Sequence, residues 1–176
     1  MLYVQQSLGP DEELIFVGHF HWMYTVNAFM SIIFGMLISV VIIIAGIFVQ
    51  KHLGGFPDDL PVSVAIPALP VYVKGGAFLM FVMGVYSFAI KMVHKATTEI
   101  AITDSRLVYK TGVVARNVGE LSIDRIEGVN VLQTVLGRLF NYGRLAVRGM
   151  GIGEVILPPI ENPIGFRQAI EKARSV

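Results

Sequence analysis

The chain has four histidines and no cysteine, and this bounds the chemistry open to it. Without cysteine there are no disulfides, no thiolate nucleophile and no zinc–thiolate site. His19 and His21 sit two apart in a stretch read as extended, so both imidazoles are expected on one side. Two imidazoles can begin a metal site, but such a site needs three or four ligands. His52 and His94 follow two separate apolar runs and are not expected to complete it. We read His19 and His21 as a polar interfacial pair, and expect no metal and no cofactor. Gly149-Met150-Gly151-Ile152-Gly153 has the composition of a phosphate loop. A phosphate loop, however, must lead from a strand into a helix N-terminus. Here the next segment, Glu154–Leu157, reads as a strand, and no Gly-Lys-Ser/Thr follows. The glycines are therefore expected to form a hairpin turn. The acids Glu99, Asp124, Glu127 and Glu161 are spread among basic residues, as on a solvated face. General acid–base work needs a positioned pair in a cleft. No residue is assigned a catalytic role, and the chain is expected not to be an enzyme.

The positioning elements begin with Trp22–Gln50, which holds no charged residue. A bilayer-crossing helix needs about 20 mostly apolar residues. Trp22 and Tyr24 stand at the start of the run, where amphipathic aromatics anchor helices at the headgroup level. Lys51 and His52 end it. Residues 51–70 carry Gly54-Gly55 and prolines at 57, 61, 67 and 70, which forbid a continuous helix. Val62–Leu69 is apolar enough to lie on a membrane surface. A second span is predicted over Val71–Ile90. Composition agrees, with 54% hydrophobic and 15% charged residues and a mean hydropathy of +0.65. Soluble domains carry roughly 25% charged residues. The net charge of +1 is too small to suggest nucleic acid. Residues 1–21 lack the basic start and short apolar core of a secretory signal and are read as an interfacial segment.

Ser31, Gly35 and Ser39 recur every four residues on one face of the first span. Small residues at that spacing let a second helix approach closely. Gly84 is a small position on the second span, and Met80, Phe81, Met83 and Phe88 are bulky enough to fill the groove. The two spans are expected to form a hairpin over residues 22–91. Lys91, Lys95 and Arg106 follow the second span, against Lys51 and Lys74 in the loop. That bias places both termini in the cytoplasm and the proline-rich loop outside.

Residues 92–176 have soluble composition. Short strands are predicted at Thr97–Thr103, Arg106–Lys110, Val113–Asn117, Glu120–Ile126, Val129–Thr134, Arg144–Arg148 and Glu154–Leu157. Leu121, Ile123 and Ile126 are expected to face the core. Val135–Phe140 is an apolar connector with room for one helical turn. A last helix starts with Asn162 as its cap and Pro163 in first position. Its apolar face is Ile164, Phe166, Ala169, Ile170 and Ala173. Strands at this spacing with a closing helix describe an α+β domain, a small sandwich or barrel of pleckstrin-homology-like (PH-like) form.

The run from Thr98 to Ile170 resembles the bacterial PH-like domain of small two-span membrane-anchored proteins. Its matching pieces are TTEIAITDSRLVYKTGVV, LSIDRIEGVNVLQTVLGRLFNYGRLAVRG and PPIENPIGFRQAI. The most specific phrase runs from the Gln133-Thr134 pair through Leu136-Gly137-Arg138-Leu139 to Gly143. His21-Trp22 ahead of two spans also fits that family's layout. The resemblance implies the fold; function is less determined, because one fold hosts many functions. In eukaryotic PH-like folds, Lys and Arg between the first strands hold inositide headgroups. The turn taken as equivalent here, Asp104-Ser105, is acidic and short. From Met92 onward, eleven Lys or Arg face eight Asp or Glu. Lys91 and Lys95 are placed at the membrane surface, where a basic group near anionic lipid contributes about 1 kcal/mol.

The reading is a non-enzymatic membrane protein whose PH-like domain binds a membrane protein partner or its own copies, and no soluble metabolite. The partner surface is assigned to Val135, Leu136, Leu139 and Phe140. An alternative is an anionic-lipid sensor using Trp22, Lys91, Lys95 and Arg138. A channel or transporter subunit is a third reading, weakened by the absence of ionisable residues mid-span.

Overall fold

A computed structural model describes residues 2–112, 117–150 and 153–174. The chain divides into two units, residues 1–24 with 93–176, and residues 25–92.

The first unit holds two antiparallel sheets and a closing helix. The first sheet runs in the order β1 (Leu14–Gly18), β2 (Glu99–Thr103), β3 (Arg106–Thr111), β4 (Asn117–Ser122). The second comprises β5 (Ile126–Leu132), β6 (Tyr142–Gly149) and β7 (Gly153–Ile156), with the two-residue β8 (Ile160–Glu161) also on β6. Residues 14–18, expected as a short extended or interfacial segment, are extended. They form a strand whose Gly18 pairs with Ile100. Bulky β-branched residues favour this extended backbone, and Phe16 packs on the core from it.

Two expected boundaries change. The strand foreseen at Thr97–Thr103 starts only at Glu99, because the preceding helix runs on to Thr97. In place of a strand over 120–126, β4 ends at Ser122 and a 3-10 turn follows at Ile123–Arg125. Residues 113–116 lie outside the described residues. Leu121, Ile123 and Ile126 are nevertheless buried, as expected. The Gly149 and Gly153 ends of the glycine run pair as a β6–β7 hairpin, and a strand follows them. The middle of that run, residues 151–152, lies outside the described residues.

The core between the sheets is Ile100, Ile102, Leu107, Ile123, Ile126, Leu145, Leu157 and Ile160, sealed by Phe166 and Ile170 of α6 (Pro163–Arg174). Removing a buried aromatic of this kind costs about 3–5 kcal/mol. Asn162 caps α6, its Oδ1 accepting from Gly165 N–H at 3.1 Å. Ile164 departs from the expected apolar face and is exposed. On the outer face of the first sheet, α1 (Leu2–Ser7) lays Val4 on Ala101 and Val108. The Glu99 carboxylate accepts from the Tyr3 and Val4 N–H groups, each at 3.2 Å. Strand β2 is therefore covered on both faces.

In the second unit, α2 (Trp22–His52) contributes residues 25–52, then come the short α3 (Val62–Ala68) and α4 (Val71–Thr97) up to Met92. The two long helices meet antiparallel. A Cβ built on Gly35 would lie 2.9 Å from Gly84 Cα, and one on Gly46 would lie 2.6 Å from Val73 Cγ1. The groove at Gly35 is thus filled by the Gly84 backbone. Met80, Phe81 and Met83 do not fill it, since two backbones already occupy the space; Phe81 and Met83 are exposed. Phe88 packs instead on Phe29, with ring centroids 4.9 Å apart.

Candidate interaction surface

The phrase that carries the resemblance builds a small rigid loop. Thr134 caps α5 (Val135–Leu139), its Oγ1 accepting from Gly137 N–H at 3.1 Å. Gln133 Nε2 donates to the Tyr142 carbonyl at 3.1 Å. A Cβ on Gly137 would meet that same carbonyl oxygen at 2.6 Å. A Cβ on Gly143 would meet Gln133 Cγ at 2.6 Å. Asn141 takes φ +54°, a left-handed turn that asparagine tolerates, and leads the chain into β6. The polar and glycine positions of the phrase thus hold the loop in shape.

Its apolar positions face outward. Val135 is 85% exposed, Leu136 53%, Leu139 73% and Phe140 39%. Only Gly137 in α5 is buried. The connector is therefore no part of the core. Arg138 stands exposed between the two leucines, with no ion pair among the described residues. Beside the loop lies an open groove of about 550 Å³, bounded by Leu132–Thr134, Tyr142–Arg144 and Pro159.

Trp22 completes the patch. Its ring meets Phe140 edge-on, with centroids 5.7 Å apart. The preceding residues place it. His21 N–H donates to the Pro159 carbonyl, Glu161 N–H donates to His19 O, and Phe20 bridges to Ile160. The His21 ring stacks on Tyr142 at 4.9 Å. Its Nδ1 accepts from Met23 N–H at 3.2 Å, so His21 caps α2. His19 is exposed while His21 is buried, so they do not act as the expected pair.

The other expected sites fall differently. Lys91 is half-buried. Its Nζ donates to Asn27 O at 3.3 Å, Asn27 Oδ1 at 3.0 Å and Ser31 Oγ at 2.7 Å, which occupies all three ammonium protons within the helix pair. Lys95 is half-buried in the last turn of α4. Ser31, Gly35 and Gly84 come together, since a Cβ on Gly84 would sit 2.7 Å from Ser31 O; Ser39 is half-buried. The Asp104-Ser105 turn joins the second and third strands, so it is not the connection between the first two. That connection is the whole of residues 19–98. The basic residue at the turn, Arg106, is fully engaged. Its guanidinium donates to Glu12 at 2.7 and 2.8 Å, to Glu120 at 2.7 Å and to Ser7 O at 2.6 Å. The Arg106 hydrogen bonds lower the Glu12 carboxyl from 4.5 to about 2, and the Gly9 N–H and the Thr103 and Ser105 hydroxyls add to them against the opposing effect of burial. Composition alone did not reveal this ion pair, because its members lie 94 residues apart.

A family model described as Bacterial PH domain matches residues 14–174. The chain belongs to that family. The matched region starts at the first residue of β1 and its bounds enclose both long helices. No curated protein and no solved structure matches the chain. Bacterial PH domain membership points to a non-catalytic binding role.

Proposed function

We propose that this bacterial PH domain protein is an integral membrane binding module. In this reading α2 and α4 cross the bacterial inner membrane as a hairpin. The sandwich sits on the cytoplasmic side, where it engages a membrane protein partner or a second copy of the chain. One observation carries the reading. Helices of 31 and 27 residues, with mean hydropathies of 3.1 and 1.8 in their most apolar windows, leave nearly all of those windows uncovered. Phe34, Val41, Ile44 and Phe48 are all more than half exposed. Core helices of soluble proteins bury such residues, whereas a bilayer covers them. At 1.5 Å per residue both helices exceed the roughly 30 Å hydrocarbon core. Lys51 and Lys74 at the loop end bond to backbone carbonyls, at 2.7 and 2.9 Å, as cations at an interface do.

The test uses single cysteines at the exposed Asp59 and Glu171 of the otherwise cysteine-free chain. A membrane-impermeant thiol reagent on intact cells is expected to label position 59 and spare 171. The reverse would overturn the orientation. Release of the protein from membranes by alkaline carbonate would overturn the span itself. Mild cross-linking in native membranes is expected to give a discrete heavier species, and a monomer alone would count against a protein partner.

A further inference from the structure

We infer that the loop Val135–Phe140, together with Trp22, is seated in the headgroup layer of the bilayer, and that lipid is what covers it. The inference rests on the reading that α2 spans the membrane.

Gln133, Thr134, Gly137 and Gly143 shape the loop, and each has a partner that explains it. Val135, Leu136 and Leu139 have none, and stand exposed on a turn too short to bury them. A contiguous apolar patch kept in water needs a covering surface. The covering surface is indicated by continuity. Trp22 is the first residue of α2 and touches Phe140. Tryptophan prefers the level where acyl chains meet headgroups. A loop in contact with that ring reaches the same level. Charge agrees. Arg138 rises from the middle of the patch with no acidic partner among the described residues, and Arg144 lies exposed on the adjoining groove. Arginines beside buried apolar side chains suit lipid phosphates. A protein partner would use the same apolar side chains, but nothing ties one to Trp22.

The experiment uses the full chain in vesicles of phosphatidylcholine and phosphatidylglycerol, with and without acyl-brominated lipid. Its single tryptophan is Trp22, and it has no cysteine. An environment-sensitive fluorophore is placed at Leu136→Cys, at Leu139→Cys and, as control, at Asn130→Cys on the exposed side of β5. Expected are blue-shifted emission at 136 and 139, loss of that emission with brominated lipid, and no such loss at 130. Trp22 emission falls with brominated lipid in every variant. If 136 and 139 behave like 130 while Trp22 is still quenched, the loop lies in water and the inference is wrong. A blue shift at 136 without bromine quenching also overturns it and assigns the patch to protein. If Trp22 itself escapes quenching, the span reading fails and takes the inference with it.

Discussion

At the residue scale, the loop separates side chains that build from side chains that meet something else. Gly137 cannot carry a Cβ without striking the Tyr142 carbonyl, which is backbone and cannot swing away. Gly137→Ala is therefore expected to destabilise the domain by about 1–3 kcal/mol. Leu136→Ser, which trades an isobutyl group for a hydroxymethyl on an exposed turn, is expected to stay within about 0.5 kcal/mol. Thermal melts of the two variants decide this, and equal losses would return the leucine to the core. Glu12 makes the second residue-scale case. Its carboxyl titrates at about 2 in the folded chain against an ordinary 4.5. A depressed carboxylate stabilises above the ordinary value and loses that contribution as pH falls through the folded one. The melting temperature is expected to hold above pH 4.5 and to fall between 4.5 and 2. Glu12→Gln is expected to start lower and fall less over that window. Glu99 contributes to the same slope. Burial raises it, but the Val4 N–H and Lys110 outweigh that and lower it overall. A parallel decline in both proteins would remove Glu12 from the account.

At the element scale, the helix pair is held by close backbone approach and a polar clasp. Gly35→Leu is expected to force α2 and α4 apart and lower the stability of the purified protein in detergent, since the Gly84 backbone leaves no room. Val41→Leu, at a position 62% exposed on the same helix, is expected to change little. Matching melting curves for the two would dispose of the crossing point. Local pattern made these helices legible, because an uncharged run needs only its own residues to be read. It also gave the apolar face of α6, the turn at 149–153 and the outward character of Val135–Phe140. It did not give β1. Strand Leu14–Gly18 is short, its partner β2 lies beyond two long helices, and no local signal records that distance. Lys91 was read by position as a surface cation. Its three acceptors come from another helix, about 60 residues away, so the sequence near it holds no trace of the clasp.

At the scale of the molecule, the helical region interrupts a sheet. Residues 92–176 alone lack β1, α1 and the Glu12 partner of Arg106. That fragment is expected not to fold. Residues 1–18 joined to 99–176 through Asn-Gly are expected to melt cooperatively, because Gly18 already pairs with Ile100 and the resulting three-residue loop of Asn, Gly and Glu99 is short enough to close a hairpin. Circular dichroism of the two fragments distinguishes them, and a folded 92–176 would make β1 dispensable. The interruption also sets a clock on synthesis. The ribosome releases β1, then residues 19–98, and only then the strand it must pair with. At the usual pace of 5–20 residues per second, that is a wait of roughly 4 to 16 seconds with an open strand edge. If α2 and α4 cross a bilayer as proposed, both must insert during that wait and bring residues 18 and 99 back to one side. A chain whose second helix stayed behind would then leave β1 and β2 on opposite faces, unable to pair. On that proposal, closure of the first sheet certifies that insertion is finished.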